Sequence, residues 1–130
     1  MIVDLNFGLE KEKQYLELFQ NYFSNSLKRT KQYSVFDYEG SDCLIELKSR
    51  RCHFKTYSDT MIGVNKIQKA KLSNQNIYFV FSFIDGIYYW KYDERVNLRL
   101  SRGGRKDRNK FEYKNYYFIP IEILTKIEYL

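Results

Sequence analysis

Tyr33 to Arg51 reads YSVFDYEGSDCLIELKSRR, and the architecture predicted for the rest of the chain is built around this segment. Two runs of strand-forming residues, Tyr33–Tyr38 and Cys43–Leu47, flank the turn-forming residues 39–42. Strand formers on both sides of a short polar turn predict a β-hairpin.

The register of this hairpin decides which charged side chains meet. A loop centred on Ser41-Asp42 places Asp37 opposite Glu46, and Lys48 then follows on the same face. A loop centred on Gly40-Ser41 would break this pairing. In the first register two carboxylates come close, which is destabilising unless a cation compensates. The pattern therefore favours an oxygen-liganded Mg²⁺ site, with Lys48 left to meet an anionic phosphate.

Asp37, followed by Glu46-Leu47-Lys48 at the end of an apolar strand, resembles the PD-(D/E)XK nuclease signature. The segment 44–50, LIELKSR, is especially similar to archaeal and viral Holliday junction resolvases. Two features depart from the family pattern: Phe36 stands where proline is usual, and the interval between the two acids is short. Asp42 is a competing candidate, although it lies in the turn, where aspartate is favoured for local hydrogen bonding. A solvated strand face with a surface ion pair is the simpler alternative.

The resemblance implies a restriction-endonuclease-like core and Mg²⁺-dependent hydrolysis of DNA, with Mn²⁺ able to substitute. It implies that Asp37 and Glu46 hold the metal together with the Leu47 carbonyl. Lys48 would polarise the attacking water or neutralise developing charge. Resolvase-like members place a glutamate of the first helix in the active site, and Glu12 has the matching phase. The alternative is that Glu12 lies in the first helical turn, where water and the helix dipole favour a carboxylate.

Periodicity and turn residues predict the remaining elements. Residues 7–24 form an amphipathic helix with Leu9, Leu16, Phe19 and Phe23 on one face, and a short edge strand lies near Leu27–Lys31. After the hairpin, a helix is predicted over 57–72; Gly63 interrupts it, and Asn65 caps its second part. The elements predicted after this helix are a buried strand Asn76–Phe83, a strand Ile87–Tyr92, a strand Tyr116–Ile119 and a short helix Ile121–Tyr129. This order predicts one α/β domain over residues 1–130, with a mixed sheet flanked by helices.

The charge balance points to a polyanionic partner. The 130 residues carry a formal charge of +6, and the sequence pI is about 9.2. The segment 95–110 is rich in cations and glycine, which predicts a loop that moulds to a phosphate backbone, although a solvated loop is the simpler alternative. The resemblance adds a lysine or glutamine from the helix beside the active sheet. The predicted nucleic-acid-binding residues are Arg50, Arg51, Lys66, Gln68, Arg102, Arg105, Lys106 and Arg108.

Scarce residue types exclude several other classes of protein. A single histidine, His53, and two cysteines do not support histidine-metal nucleases or zinc sites. A phosphate-binding glycine loop followed by Lys-Ser/Thr is lacking, so nucleotide hydrolysis is unsupported. With no long apolar run and no signal-peptide pattern, we expect a soluble intracellular protein, in the cytoplasm or in the host compartment if viral, with reduced thiols.

Three functions follow from these observations. The leading one is a structure-selective DNA endonuclease that acts on branched or duplex DNA as a homodimer, because paired cuts need two active sites. The second is a non-catalytic nucleic-acid-binding module on the same fold. The third is a structural or interaction protein whose charges are solvated faces.

Overall fold

The computed structural model describes residues 2–31, 34–103 and 114–128, and this part of the chain contains two α-helices and nine strands. The helices are α1 (Ile2–Tyr22) and α2 (Val64–Lys71), and a 3-10 turn covers Ile121–Ile123. The strands are β1 (Lys28–Arg29), β2 (Tyr38–Glu39), β3 (Cys43–Ser49), β4 (Asp59–Gly63), β5 (Asn76–Phe83), β6 (Gly86–Lys91), β7 (Arg99–Gly103), β8 (Lys114–Pro120) and β9 (Thr125–Lys126).

The strands form two sheets. The larger has six strands in the order β1-β2-β3-β5-β6-β9, and the smaller has three in the order β4-β8-β7. Strands β3 and β5 are parallel while the other pairs are antiparallel, so the larger sheet is mixed. The predicted α/β fold with a mixed sheet and flanking helices is confirmed, and it is compatible with a restriction-endonuclease-like core. The second sheet was not predicted.

The pairing of β2 with β3 has the register of a loop centred on Ser41-Asp42, because Tyr38 pairs with Ile45 and Glu39 with Leu44. The ladder ends at Tyr38, and the backbone N–H of Asp37 donates to the carbonyl of Ile45 at 2.9 Å. The predicted pair of Asp37 with Glu46 thus lies one position beyond the ladder. The loop centred on Gly40-Ser41 is therefore excluded.

Each face of the larger sheet is covered by its own apolar core. Helix α1 packs on one face through Phe19, with Leu16 and Phe23 partly buried beside it. Helix α2 and the smaller sheet cover the other face, where Ile67 and Ile119 meet the phenylalanines of β5. Strand β5 is the buried central strand predicted from its apolar run, and Trp90 is a core residue as expected.

Two predicted helical segments are wrong because of long-range strand pairing. Residues 59–63 form β4, in which Thr60 and Ile62 are buried at a period of two and pair with β8. Helix α2 begins only at Val64, its N-cap is Gly63, and Asn65 does not cap it. Residues 125–126 form β9, which pairs with the free edge of β6 instead of continuing a helix.

Two further predictions are corrected at strand boundaries. The strand predicted at Tyr33–Tyr38 is reduced to β2, because residues 35–37 form a bend and pairing with β3 begins only at Tyr38. Tyr33 lies outside the described residues. Within the cationic segment 95–110 predicted as a loop, Arg99–Gly103 form β7, an edge strand paired with β8, and residues 104–110 lie outside the described residues. Within the described ranges, no helix is long and apolar enough to cross a membrane.

Candidate active site

The hairpin brings the first acid against the strand that carries the second. Asp37 directly precedes β2, and its Oδ2 accepts a hydrogen bond from the backbone N–H of Leu47 at 2.7 Å. This bond fixes the Asp37 carboxylate one residue past Glu46 on β3. The sequence prediction that Asp37, Glu46 and Leu47 lie together is thus met in position, and their roles as metal ligands stay a prediction.

Glu46 is a buried carboxylate held between two ammonium groups. Its side chain is 3% exposed, Lys48 Nζ lies 3.4 Å from Oε2, and Lys66 Nζ lies 3.2 Å from Oε1. Lys66 also donates to the Val35 carbonyl, while Glu46 Oε1 accepts no well-directed hydrogen bond. Lys66 reaches the site from the first turn of α2 and is 19% exposed, whereas Lys48 is 40% exposed. The two lysines therefore differ in access to solvent.

Burial of Glu46 has a direct electrostatic consequence. Burial, together with the negative charge of Asp37, raises the pKa of Glu46 to about 7, although Lys48 and Lys66 oppose the rise. Near neutral pH the carboxylate is thus poorly compensated by the protein alone. A nearby divalent cation would stabilise the ionised form of this carboxylate.

We expect the stability of the metal-free protein to fall as the pH rises from about 4.5 to about 7. The Glu46 pKa is higher in the folded state than its ordinary value of 4.5, so the folded state binds more protons in this window. The stabilisation that protonated Glu46 provides is fully present below pH 4.5 and is lost as the pH rises to the folded-state pKa of about 7. The shift corresponds to at most about 3 kcal/mol.

Urea unfolding across this pH range tests this prediction. Glu46→Gln should flatten the dependence, and Glu39→Gln, an exposed glutamate on the neighbouring β2, should leave it unchanged. A saturating divalent cation should also reduce the loss of stability at high pH. Equal slopes for wild type and Glu46→Gln would show that Glu46 is not the titrating group.

Glu12 lies in the middle of α1, so the interpretation that it belongs to the first helical turn is wrong. Its Oε2 lies 3.4 Å from an Arg29 nitrogen, and its backbone carbonyl accepts a hydrogen bond from the Tyr38 hydroxyl. Burial raises the pKa of Glu12, the charge of Asp37 adds to the rise, and Arg29 opposes it. Glu12 is thus an electrostatic neighbour of Asp37, as the sequence hypothesis of a site glutamate requires.

Glu12→Gln should reduce cleavage about 10- to 100-fold, the range for groups that support metal ligands. Stability should change little, because removing repulsion toward Asp37 offsets the lost ion pair with Arg29. Glu17→Gln, an exposed glutamate on the same helix, is the matched control. Normal turnover with a lowered melting temperature would instead assign Glu12 a structural role.

The chemistry of this cluster fits a hard divalent cation. The negative charge of Asp37 acts on both Glu46 and Glu12, and the ion pairs of these glutamates with Lys48, Lys66 and Arg29 do not cancel the rise in their pKa values. Among the described residues, no three Asp, Glu, His or Cys side chains are grouped closely enough to form a complete metal cage. Mg²⁺ does not require one, since it is commonly held by one or two carboxylates together with water and substrate phosphate.

The predicted nucleic-acid-binding residues lie in different parts of the structure. Arg50 points into the protein, where Nε donates to Thr60 Oγ1 at 3.1 Å and Nη2 donates to the Met61 carbonyl at 2.6 Å. Arg51, Gln68 and Arg102 are exposed, whereas Lys66 contacts Glu46. Arg105, Lys106 and Arg108 lie outside the described residues. None of these positions establishes a contact with DNA.

Sequence reasoning missed the cation beside Glu12. Arg29 reaches Glu12 because β1 pairs with β2, which places Arg29 opposite Tyr38. The sequence did predict an edge strand near Leu27–Lys31, but not its partner. The resemblance did suggest Lys66 or Gln68 as a residue of this helix near the active sheet, but the contact of Lys66 with Glu46 was not predicted, because it depends on how α2 follows β4.

A mixed α/β core that carries an aspartate beside a Glu-x-Lys strand defines the PD-(D/E)XK class of nucleases. Residues 9–127 match the sequence model of the family described as "Phage putative PDDEXK endonuclease", and the chain belongs to this family. A comparison with curated proteins found no match. The match spans α1 through β9 and so includes every described residue of the candidate site.

Proposed function

We propose that this protein is a Mg²⁺-dependent DNA endonuclease that is selective for branched structures. The observation that supports this most is the grouping of Asp37, just before β2, with buried Glu46 and half-exposed Lys48 on β3. Membership of the nuclease family supplies the reaction class. Mn²⁺ is expected to substitute for Mg²⁺, since both accept carboxylate oxygen and water ligands.

Each residue of the candidate site would have its own role in phosphodiester hydrolysis. Asp37 and Glu46 would hold the cation, with the Leu47 carbonyl as a further ligand and Glu12 in support. When bound, a divalent cation lowers the pKa of a coordinated water and stabilises negative charge on phosphate oxygens. Lys48 would contact the phosphate or the attacking water as charge develops. The water oxygen forms a bond to phosphorus and gives up a proton to solvent, the bond to the leaving sugar oxygen breaks, and that oxygen takes up a proton from solvent, so the protons balance.

A second candidate function is the non-catalytic nucleic-acid-binding module. The observation in its favour is that both ammonium groups already contact Glu46, so the carboxylate has partners without a metal. The raised pKa of Glu46 argues against it, because two lysines do not fully compensate the buried charge.

Selectivity for four-way junctions and action as a homodimer are the finer part of the proposal. Their support is the likeness of residues 44–50 to Holliday junction resolvases, together with the need for two active sites when two strands are cut. The lack of an obvious helix-turn-helix or zinc finger in the sequence favours recognition of backbone shape.

A nuclease assay on duplex, single-stranded, flap and four-way substrates tests this function. We expect cleavage with Mg²⁺ or Mn²⁺, none with EDTA, and the highest rate on a branched substrate. Equal rates on all four substrates would show that the protein does not select for branched DNA. Binding without cleavage under every metal condition would favour the non-catalytic module.

Replacing Arg102, Arg105 and Arg108 with alanine should weaken binding to the same extent for unrelated sequences of one shape. Each lost phosphate contact should lower the slope of log affinity against log salt by roughly 0.9 on duplex DNA. Cleavage at saturating DNA should survive better than affinity, because Asp37, Glu46 and Lys48 are unchanged in this variant. Fluorescence anisotropy titrations at several salt concentrations measure the slope.

The control is Lys126→Ala, an exposed cation on β9 at an edge of the larger sheet, whereas Arg102 lies on β7 of the smaller sheet. It should leave the salt slope unchanged. If the arginine variant also retained the wild-type slope, the DNA would contact another surface. The next surface to test is Arg51 with α2.

A further inference from the structure

A cavity of about 320 Å³ opens where β3 ends, next to the candidate active site. This volume lies at the lower end of the range for small-molecule sites, about 300–1,000 Å³, and suits one ring system better than a longer chain. The residues that matter for its chemistry are Arg50, His53, Phe54, Tyr57, Phe83 and Phe118.

Strand β3 connects the cavity directly to the acidic site. Side chains alternate along a strand, so Glu46, Lys48 and Arg50 project from the same face of the chain. Arg50 lines the cavity, and about 7 Å of strand separates it from Lys48. Burial lowers the pKa of Arg50, and the charge of Glu46 is among those that oppose this change. A strand of DNA bound at Lys48 would therefore pass the mouth of the cavity.

Aromatic rings form much of the wall. Phe83 is buried at the end of β5, and Phe54 lies edge-on to it with ring centroids 5.6 Å apart. Phe54 is itself fixed by stacking on Tyr88 at 3.8 Å with nearly parallel planes. Tyr57 also lines the cavity, and 66% of this residue is exposed to solvent. Rings that are fixed inside and exposed at the rim suit stacking with a planar ligand.

Polar groups stand around this apolar wall. Arg50 is held in place by its bonds to Thr60 and Met61, and exposed His53 can donate or accept a hydrogen bond. The Arg99 guanidinium lies 4.1 Å from the centre of the Phe118 ring and forms an ion pair with Asp59. A few polar groups around aromatic walls match a ligand with flat faces and a hydrogen-bonding edge.

We propose that this cavity binds an unpaired, unstacked nucleobase of the DNA strand whose backbone lies at Lys48. The inference rests on the proposed nuclease function and adds a substrate class to it: DNA with a base that is already unpaired at a bulge, flap or branch point. Such a base enters a pocket at lower cost than one held in a duplex. Tyr57 would stack on the base, and His53 would contact its edge. The protein would thereby favour branched DNA by binding one unpaired base in the cavity, in addition to recognising the shape of the backbone.

The test uses a duplex with a single-base bulge of 2-aminopurine, whose fluorescence is quenched by stacking. Wild-type protein in EDTA, which prevents cleavage, is titrated with this bulge, with an abasic bulge and with 2-aminopurine paired in a plain duplex. We expect a fluorescence change on the bulge alone. The base-containing bulge should bind about 5- to 150-fold more tightly than the abasic one, which is the gain expected from stacking one base.

Variants assign the effect to the cavity. Tyr57→Ala should remove most of the fluorescence change and of the preference over the abasic bulge, and Tyr57→Phe should retain both. Folding should survive because Tyr57 is largely exposed. Tyr22→Ala, an exposed tyrosine on α1 against the opposite face of the larger sheet, is the control and should behave as wild type.

Three results would overturn the proposal: equal affinity of wild type for both bulges, a fluorescence change that persists in Tyr57→Ala, or its loss in Tyr22→Ala. Its failure is separable from failure of the nuclease function. Normal metal-dependent cleavage with equal affinity for both bulges removes base binding alone. A Tyr57-dependent preference for the base-containing bulge, in a protein that cleaves nothing with Mg²⁺, supports base binding and removes the proposed catalysis.

Discussion

Glu46→Gln should reduce the rate of DNA cleavage by at least about 10³-fold, because it removes a ligand of the cation that stabilises transition-state charge. DNA binding should stay intact or become slightly tighter, since one negative charge near the phosphate is lost. Asp37→Asn should behave in the same way. Single-turnover cleavage and anisotropy, measured on the same samples, separate the two effects.

The control for this result is Glu39→Gln, the same substitution at an exposed position on β2. It should cleave DNA at the wild-type rate. Near-wild-type cleavage by Glu46→Gln would remove Glu46 from the metal site. A comparable loss in Glu39→Gln would point to a general effect of charge on the hairpin.

Lys48→Met and Lys66→Met should separate catalysis from stability at the two ammonium groups that contact Glu46. Lys48 is 40% exposed and can meet a substrate phosphate, so its loss should lower the cleavage rate about 10²- to 10³-fold with little change in melting temperature. Lys66 is 19% exposed and also bonds the Val35 carbonyl. Its removal should lower the free energy of unfolding by about 1–3 kcal/mol, because buried groups lose a partner.

Thermal unfolding and single-turnover cleavage of both variants decide this comparison. The two methionine variants are matched, because each removes one ammonium group from the same carboxylate. If Lys66→Met lost as much rate as Lys48→Met while remaining as stable as wild type, Lys66 would belong to the chemistry. If Lys48→Met cleaved normally, the proposed role of Lys48 would be wrong.

The hairpin and its charged residues could be predicted because the information is local. The turn cluster at 39–42 fixes the register, and strand alternation then sets Glu46 and Lys48 on one face. The buried run of β5 could also be recognised, since parallel central strands are apolar on both faces. The sequence thus grouped Asp37, Glu46 and Lys48, which lie near one another in the structure, and their roles stay a prediction.

The smaller sheet could not be predicted because its pairing depends on distant segments. Residues of β4 pair with β8, more than fifty positions later in the chain, and this pairing overrides the weak helical pattern of 57–72. The same holds for β9, whose backbone groups pair with β6. Local residue propensity predicts secondary structure poorly where a distant sheet edge is available to pair with the segment.

The surroundings of the site depended on tertiary packing as well. Arg50 looked like a phosphate contact because of its charge and its place after the motif, but its guanidinium donates to Thr60 and Met61. Glu12 had the right helical phase, yet only the length of α1 showed that it lies mid-helix. Charge and phase identify candidate residues, and packing decides what those residues contact.

Binding of Mn²⁺ measured by electron paramagnetic resonance is a direct test of whether Asp37 and Glu46 form a metal site. Free Mn²⁺ gives a strong signal that decreases on binding. Wild-type protein titrated at pH 8 should remove Mn²⁺ from solution at a site that requires Asp37 and Glu46. The double variant Asp37→Asn/Glu46→Gln should leave that Mn²⁺ free, and Glu39→Gln should bind as wild type does. Equal Mn²⁺ binding by the double variant and wild type would contradict the assignment of this pair of carboxylates as the metal site.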